Sequence, residues 1–216
     1  MSYNYRRISN NPTERSLVTY PYCFWENAFS DEEIEKICSE MSTSTLDAAS
    51  IAAEDENDKS VVKPQVVDSV RTSKVSFHYF NNKNQWIFER LNNVIEQMNE
   101  RWYNFDINGY DQFQYSEYHG TEQGHYTWHT DLIFGTIPTN GYFETRKLSL
   151  TLLLNDPEKD FQGGDFQFGH EAKSESVAMK KGTVIMFPSM SLHRVTPVTA
   201  GIRKSIVVWV LGPKFK

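Results

Sequence analysis

Apolar residues recur at helical spacing twice in the first half of the chain and at strand spacing in the second half. Ser30-Asp31-Glu32-Glu33 reads as a capping box, in which the serine side chain accepts the Glu33 amide and the glutamate reaches back. Ile34, Ile37, Cys38 and Met41 follow on one face, predicting a helix from about 31 to 42. Ile87, Leu91, Val94, Met98 and Trp102 lie near one face with polar residues opposite, predicting a second helix from about 84 to 102 that packs on a sheet. Residues 44–63, between the two helices, are small, acidic and poor in bulky apolar groups. They are expected to form a mobile surface loop, with a lid over a site as the alternative.

After residue 105 the period changes to that of strands. Short runs at 113–118, 147–154, 164–169, 182–188, 191–195 and 203–212 are separated by Asn-Asp-Pro, Gly-Gly-Asp, Lys-Lys-Gly and Thr-Ala-Gly. Leu148, Leu150, Leu152 and Leu154 alternate with Ser149, Thr151 and Leu153. One face of that strand is apolar throughout and the other is mixed. A sheet with helices outside and a partly polar pocket inside gives this pattern. The expected fold is α+β, mainly β, built on a small barrel or sandwich. One domain is expected over 1–216, with helical support at about 1–104 and a sheet core at about 105–212.

Composition narrows this little. The 216 residues suffice for one core, and 14% aromatic content excludes a disordered chain. The net charge is -6 with no Lys/Arg run, which gives nucleic acid little electrostatic support as a partner. Cys23 and Cys38 form no CxxC pair, and Cys38 reads as a small core residue. The polar N-terminus lacks the apolar core of a secretion signal, and no apolar run approaches the ~20 residues of a membrane span. A soluble, cytoplasmic protein without a membrane partner is expected; oligomeric state is not legible.

The candidate chemistry centres on His129-Thr130-Asp131. In an extended segment, residues two apart share a face, so one imidazole and one carboxylate converge. His193, at the start of a late strand, is the candidate third ligand. Two histidines and one carboxylate form the facial set of non-haem Fe(II) oxygenases, whereas a structural zinc site wants four ligands. Arg203 lies ten residues after His193. If the intervening segment is a hairpin centred near 198, Arg203 stands opposite His193 and enters the same pocket, where its fork of donors suits a carboxylate. Ser205 shares that face. His78, His119 and His170 have no convincing ligand spacing; His125, on the same strand parity as His129, is expected at the pocket mouth.

The stretches "HTD", "LSLTLLLNDPEKDFQGGDF" and "SLHRVTPVTAGIRKSIVVW" resemble the Fe(II)/2-oxoglutarate-dependent dioxygenases. The nearest likeness is to the prolyl 4-hydroxylase-like branch and its bacterial PKHD-type hydroxylases, over roughly residues 105 to 212. The resemblance implies a double-stranded β-helix, or jelly roll, with helices on the outer face. It implies His129, Asp131 and His193 as iron ligands and Arg203, with Ser205 and Tyr118, as the 2-oxoglutarate site. Tyr126 matches an aromatic that precedes the HxD pair, and with His125 it is a candidate for substrate contact. Leu153 stands where many prolyl hydroxylases carry a tyrosine, which weakens the prolyl assignment more than the dioxygenase one.

The implied reaction uses Fe(II), 2-oxoglutarate and O2, with ascorbate as reductant, to hydroxylate an unactivated C–H bond and release succinate and CO2. A protein or peptide side chain, proline among them, is the first expectation for substrate. A free amino acid, another small metabolite or a nucleic-acid base is the alternative. A non-catalytic jelly-roll binding module is the reading from another class. Residues 44–70 and 132–146, the least patterned segments, are the expected substrate loops.

Overall fold

The structure is a computed structural model that describes residues 21–54, 62–133, 137–139, 142–157, 159–169 and 173–214. In chain order the elements are β1 (Cys23–Trp25), α1 (Asp31–Met41), β2 (Asp47–Ala48), β3 (Ile51–Glu54), β4 (Val62–Gln65), β5 (Arg71–Thr72), β6 (Lys74–Tyr79) and α2 (Gln85–Met98). There follow β7 (Gln112–His119), β8 (His125–His129), β9 (Ile137–Thr139), β10 (Tyr142–Leu153), β11 (Phe161–Gly163), β12 (Phe166–Phe168), β13 (Glu175–Val177), β14 (Val184–Pro188), β15 (His193–Val195) and β16 (Val198–Pro213).

Two antiparallel sheets face each other. The larger runs β1-β14-β10-β16-β7-β6-β2, with β9 on β10 and β11 on β16; the smaller runs β13-β12-β15-β8-β5. This is a double-stranded β-helix with two helices on its outer face. The helices form where expected. The Ser30 hydroxyl accepts the Glu33 amide at 3.2 Å, and the Glu33 carboxylate accepts the Ser30 amide at 2.8 Å. At its C-terminal end α2 loosens into one π-helical turn, Asn99–Tyr103, closed by Asn104 in the left-handed region.

The alternation in β10 sorts the two cores. Leu148, Leu150, Leu152 and Leu154 join Ile34, Ile37, Ile87, Leu91 and Val94 in the cluster between the large sheet and the helices. Leu153 joins Tyr118, Phe166, Phe187 and Val195 in a second cluster between the sheets. Ser149 and Thr151 are buried on that inner face. Each fully buried Leu contributes about 1.5–3 kcal/mol, so the outer cluster fixes the large sheet as a rigid floor.

The chain before residue 105 supplies strands as well as helices: β1, β2 and β6 complete the large sheet and β5 the small one. Residues 44–63 are not simply a loop: Asp47–Ala48 pairs with β6, and Ile51–Glu54 pairs with β4; residues 55–61 lie outside the described residues. Within 132–146, β9 and β10 form a hairpin pairing Thr139 with Tyr142, while 134–136 and 140–141 lie outside the described residues. Strands as short as β2, β3, β4 and β9 carry too few residues to display alternation. Among the described residues, no helix is long and apolar enough to cross a membrane.

Candidate metal centre and anion pocket

β8 delivers His129 to the inner face of the small sheet, directly opposite His193 on β15. Asp131 lies just past the end of β8, where its amide donates to the Ser189 carbonyl at 2.9 Å and so ties the segment to the end of β14. The His129 and His193 Nε2 atoms stand 3.8 and 3.6 Å from the two Asp131 carboxylate oxygens. All the ligand atoms lie within 4.8 Å of one another, the one such group among the described residues. Donors bound to a common ion at about 2.1 Å are necessarily about 3–4 Å apart, so this donor set fits a divalent metal.

The backbone fixes which ring nitrogen each histidine presents. His129 Nδ1 lies 2.7 Å from the Thr127 carbonyl and His193 Nδ1 lies 2.9 Å from the Ser191 carbonyl. A carbonyl can only accept, so each Nδ1 carries the proton and each Nε2 offers a lone pair towards Asp131. Burial, with His193 adjacent, pushes the His129 pKa down to about 3, so the ring is neutral near pH 7. Burial by itself would raise the Asp131 carboxyl, but His193, His129 and the Ser149 hydroxyl hold it below the usual value. Neutral imidazoles and an ionised carboxylate are the forms that bind metal. Phe166 and Phe187 close around His193, with ring centroids at 5.4 and 4.6 Å.

Arg203 reaches the same cavity, but by a different route from the expected hairpin. His193 pairs with Phe168 and His129 in the small sheet, and Arg203 pairs with Tyr118 in the large one. Pro197, with no amide hydrogen, sits where the chain crosses from one sheet to the other. Its carbonyl accepts the Gly164 amide at 3.1 Å, and the Thr196 amide donates to Asp165 at 3.0 Å. The two residues therefore meet across the interior, one from each wall. Arg203 is 2% exposed; its Nη1 donates to Ser205 Oγ at 3.2 Å, and its Nη2 is buried without an acceptor. An unpartnered guanidinium arm at such a depth has the geometry to donate to a carboxylate oxygen. Tyr118 is buried beside it, with the guanidinium carbon 5.7 Å from the ring centroid.

The parity argument for His125 fails. Between the pairs His129–His193 and Tyr126–Val195, β8 advances three residues while β15 advances two. This bulge brings Tyr126, not His125, to the face of His129. The Tyr126 ring stacks on His129 with centroids 3.4 Å apart, whereas His125 turns away and bonds the Gln123 carbonyl through Nδ1 at 3.0 Å. His78 stacks on Phe113 and contacts Ser76, and His119 pairs with Glu117. His170 lies outside the described residues. Arg71, Arg146 and Trp209 crowd the same site and were not singled out from sequence. Arg71 is 6% exposed and stacks on Tyr126 at 4.7 Å; Arg146 stacks on Trp209 at 4.1 Å and donates to the Asp131 carbonyl at 3.4 Å.

These features define a jelly-roll domain with a His-Asp-His group and a buried arginine in one cavity. Residues 113–211 match the sequence profile of the 2OG-Fe(II) oxygenase superfamily. A PKHD-type hydroxylase from Psychrobacter sp. (strain PRwf-1) is 39% identical over 85 residues, covering 39% of this chain and 32% of that protein. The PKHD-type hydroxylase YbiX of Escherichia coli O1:K1 / APEC is 38% identical over 85 residues, 39% of this chain and 37% of its own. The matched segment thus spans only about a third of these relatives' length. Among solved structures, a Pseudomonas putida prolyl-4-hydroxylase superposes with TM-score 0.64 at 14% identity, covering 91% of this chain and 95% of that one. The viral collagen prolyl hydroxylase of Paramecium Bursaria Chlorella virus-1, as its 2OG complex, gives 0.62 at 16% identity, covering 89% and 97%. At such identities the likeness is one of fold.

Proposed function

We propose that the protein is an Fe(II)- and 2-oxoglutarate-dependent dioxygenase that hydroxylates an unactivated C–H bond. The observation that carries this reading is the placement of Arg203 Nη2, buried and unpartnered, in the cavity that also holds His129, Asp131 and His193. Fe(II), 2-oxoglutarate and O2 supply the oxidising chemistry, with succinate and CO2 released. The chain's own residues bind, orient and exclude. His129, Asp131 and His193 would hold the metal. Arg203 grips the distal carboxylate of the co-substrate, with Ser205 fixing the guanidinium and Tyr118 walling the deep end. Phe166, Phe187 and Val195 keep water from the metal's inner side and so favour productive over wasteful oxidation.

The substrate is read as a protein or peptide side chain. A structural neighbour is a prolyl hydroxylase from Trichoplax adhaerens in complex with a hypoxia inducible factor peptide, which supports a peptide without naming one for this chain. Cys23 and Cys38 are both free, which supports a reducing, cytoplasmic setting. The test is oxygen-dependent conversion of 2-oxoglutarate to succinate by the Fe(II) protein, without added substrate. Succinate release that disappears in Asp131→Ala is expected. Its absence from protein that retains bound Fe(II) would favour a binding module on the same fold.

A further inference from the structure

Two cations beside the metal group have no work in the chemistry described above. The Arg71 guanidinium donates through Nε to Ser73 Oγ at 2.9 Å and lies over the Tyr126 ring, 4.7 Å from its centroid, and the same ring stacks on His129. Arg146 lies over the Trp209 ring, 4.1 Å from its centroid, and donates to the backbone carbonyl of Asp131. Among the described residues, neither has a carboxylate side chain in ion-pair contact, and the Trp209 indole N–H is buried without an acceptor. Fe(II), Asp131, the 2-oxoglutarate dianion and Arg203 cancel one another's charge. The two remaining guanidiniums then stand in a largely desolvated cleft with no counter-charge, an arrangement that costs free energy until an anion enters.

The co-substrate does not supply an anion to both of them. Arg203, Ser205, Val207 and Trp209 alternate along the inner face of β16, so Trp209, and Arg146 lying on it, are about 20 Å from Arg203 along the strand. A five-carbon diacid held by Arg203 does not span that length to Arg146, and Arg71 shares a cavity wall with Gln114, which pairs with Val207 rather than with Arg203. We propose that the substrate presents a carboxylate to Arg71 and Arg146, which hold it beside the metal group at the end of the cleft away from Arg203. Planar guanidiniums backed by aromatic rings suit a bidentate carboxylate, and the Trp209 N–H adds a third donor. The inference rests on the dioxygenase reading and sharpens it: the target carbon lies within a few bonds of a carboxylate. That carboxylate is either the α-carboxylate of a small molecule or an Asp or Glu side chain of a peptide.

The experiment uses the full chain loaded with Mn(II) and N-oxalylglycine, the unreactive analogue of 2-oxoglutarate, and calorimetric titration with matched probes. Free amino acids are compared with their primary amides. Capped Gly-Asp-Gly and Gly-Glu-Gly peptides are compared with their Asn and Gln counterparts. In at least one pair the acid should bind about ten- to hundredfold more tightly than the amide. Arg71→Gln and Arg146→Gln should each collapse that ratio while N-oxalylglycine still binds, and Arg71→Lys and Arg146→Lys should retain part of it. Preference among the free amino acids assigns an α-carboxylate, and preference among the capped peptides assigns a side chain. No acid preference in any pair overturns the inference, as does an equal loss of acid and amide binding in the Gln variants. Failure of N-oxalylglycine to bind the parent protein overturns the dioxygenase reading and the inference with it.

Discussion

Replacing Arg203 by methionine should move ligand binding and stability in opposite directions. The guanidinium is 2% exposed, holds one hydrogen bond to Ser205 at 3.2 Å, and buries Nη2 with no acceptor. Burial depresses its pKa, with Tyr118 and Asp165 opposing. In the ligand-free protein this is a charge taken out of water for one neutral partner. Exchange for an apolar side chain of similar length should therefore be neutral or stabilise by about 1–4 kcal/mol. In the ligand complex the same exchange strands a buried carboxylate, which costs about 2–5 kcal/mol, or roughly thirty- to several-thousandfold in Kd. Arg203→Lys keeps the charge and loses the fork, so it should fall between. Chemical denaturation of the metal-free protein and calorimetric titration of the Mn(II) protein with N-oxalylglycine read the two effects separately. An Arg203→Met protein destabilised by about 3 kcal/mol, with N-oxalylglycine affinity unchanged, would make Arg203 a structural residue and refute the reasoning.

Leu150, fully buried between sheet and helices, should cost about 2–5 kcal/mol as alanine in urea denaturation. Ser30→Ala should cost about 1 kcal/mol by loss of the capping box at α1. Gly164 has φ +67, and an added Cβ would stand 2.9 Å from Arg203 Cδ and 2.8 Å from Val198 Cγ2. Gly164→Ala should therefore weaken N-oxalylglycine binding far more than Mn(II) binding in paired titrations. The metal-free protein should lose stability as pH falls from about 6.5 towards about 3, because unfolded His129 takes a proton that the folded site, with its pKa depressed, refuses. His129→Gln should flatten that part of a stability–pH curve.

The parts legible in the sequence are those governed by local periodicity. The Leu148–Leu154 alternation separated the helix-side core from the pocket side, and the Ser30 box marked the start of α1. His129 and His193 meet because β8 and β15 pair them directly, and Asp131, two residues on, is held beside them by its bond to the Ser189 carbonyl. What escaped depends on long-range pairing. The hairpin expected between 193 and 203 is a sheet-to-sheet crossing, since β15 finds both partners in the small sheet and β16 in the large one. The β8 bulge leaves no mark in composition, yet it exchanges Tyr126 for His125 at the pocket. Arg71 sits on a two-residue strand and Arg146 at a bulge in β10, so neither had a pattern that pointed inward.

The most direct test of the central claim is an anaerobic titration of the Fe(II) protein with 2-oxoglutarate, followed by visible absorption. The account predicts a weak charge-transfer band that saturates with one co-substrate per chain, is lost in His193→Ala, and requires far more 2-oxoglutarate in Arg203→Met. A protein that binds Fe(II) but develops no band, or a His193→Ala variant whose band is unchanged, would contradict it.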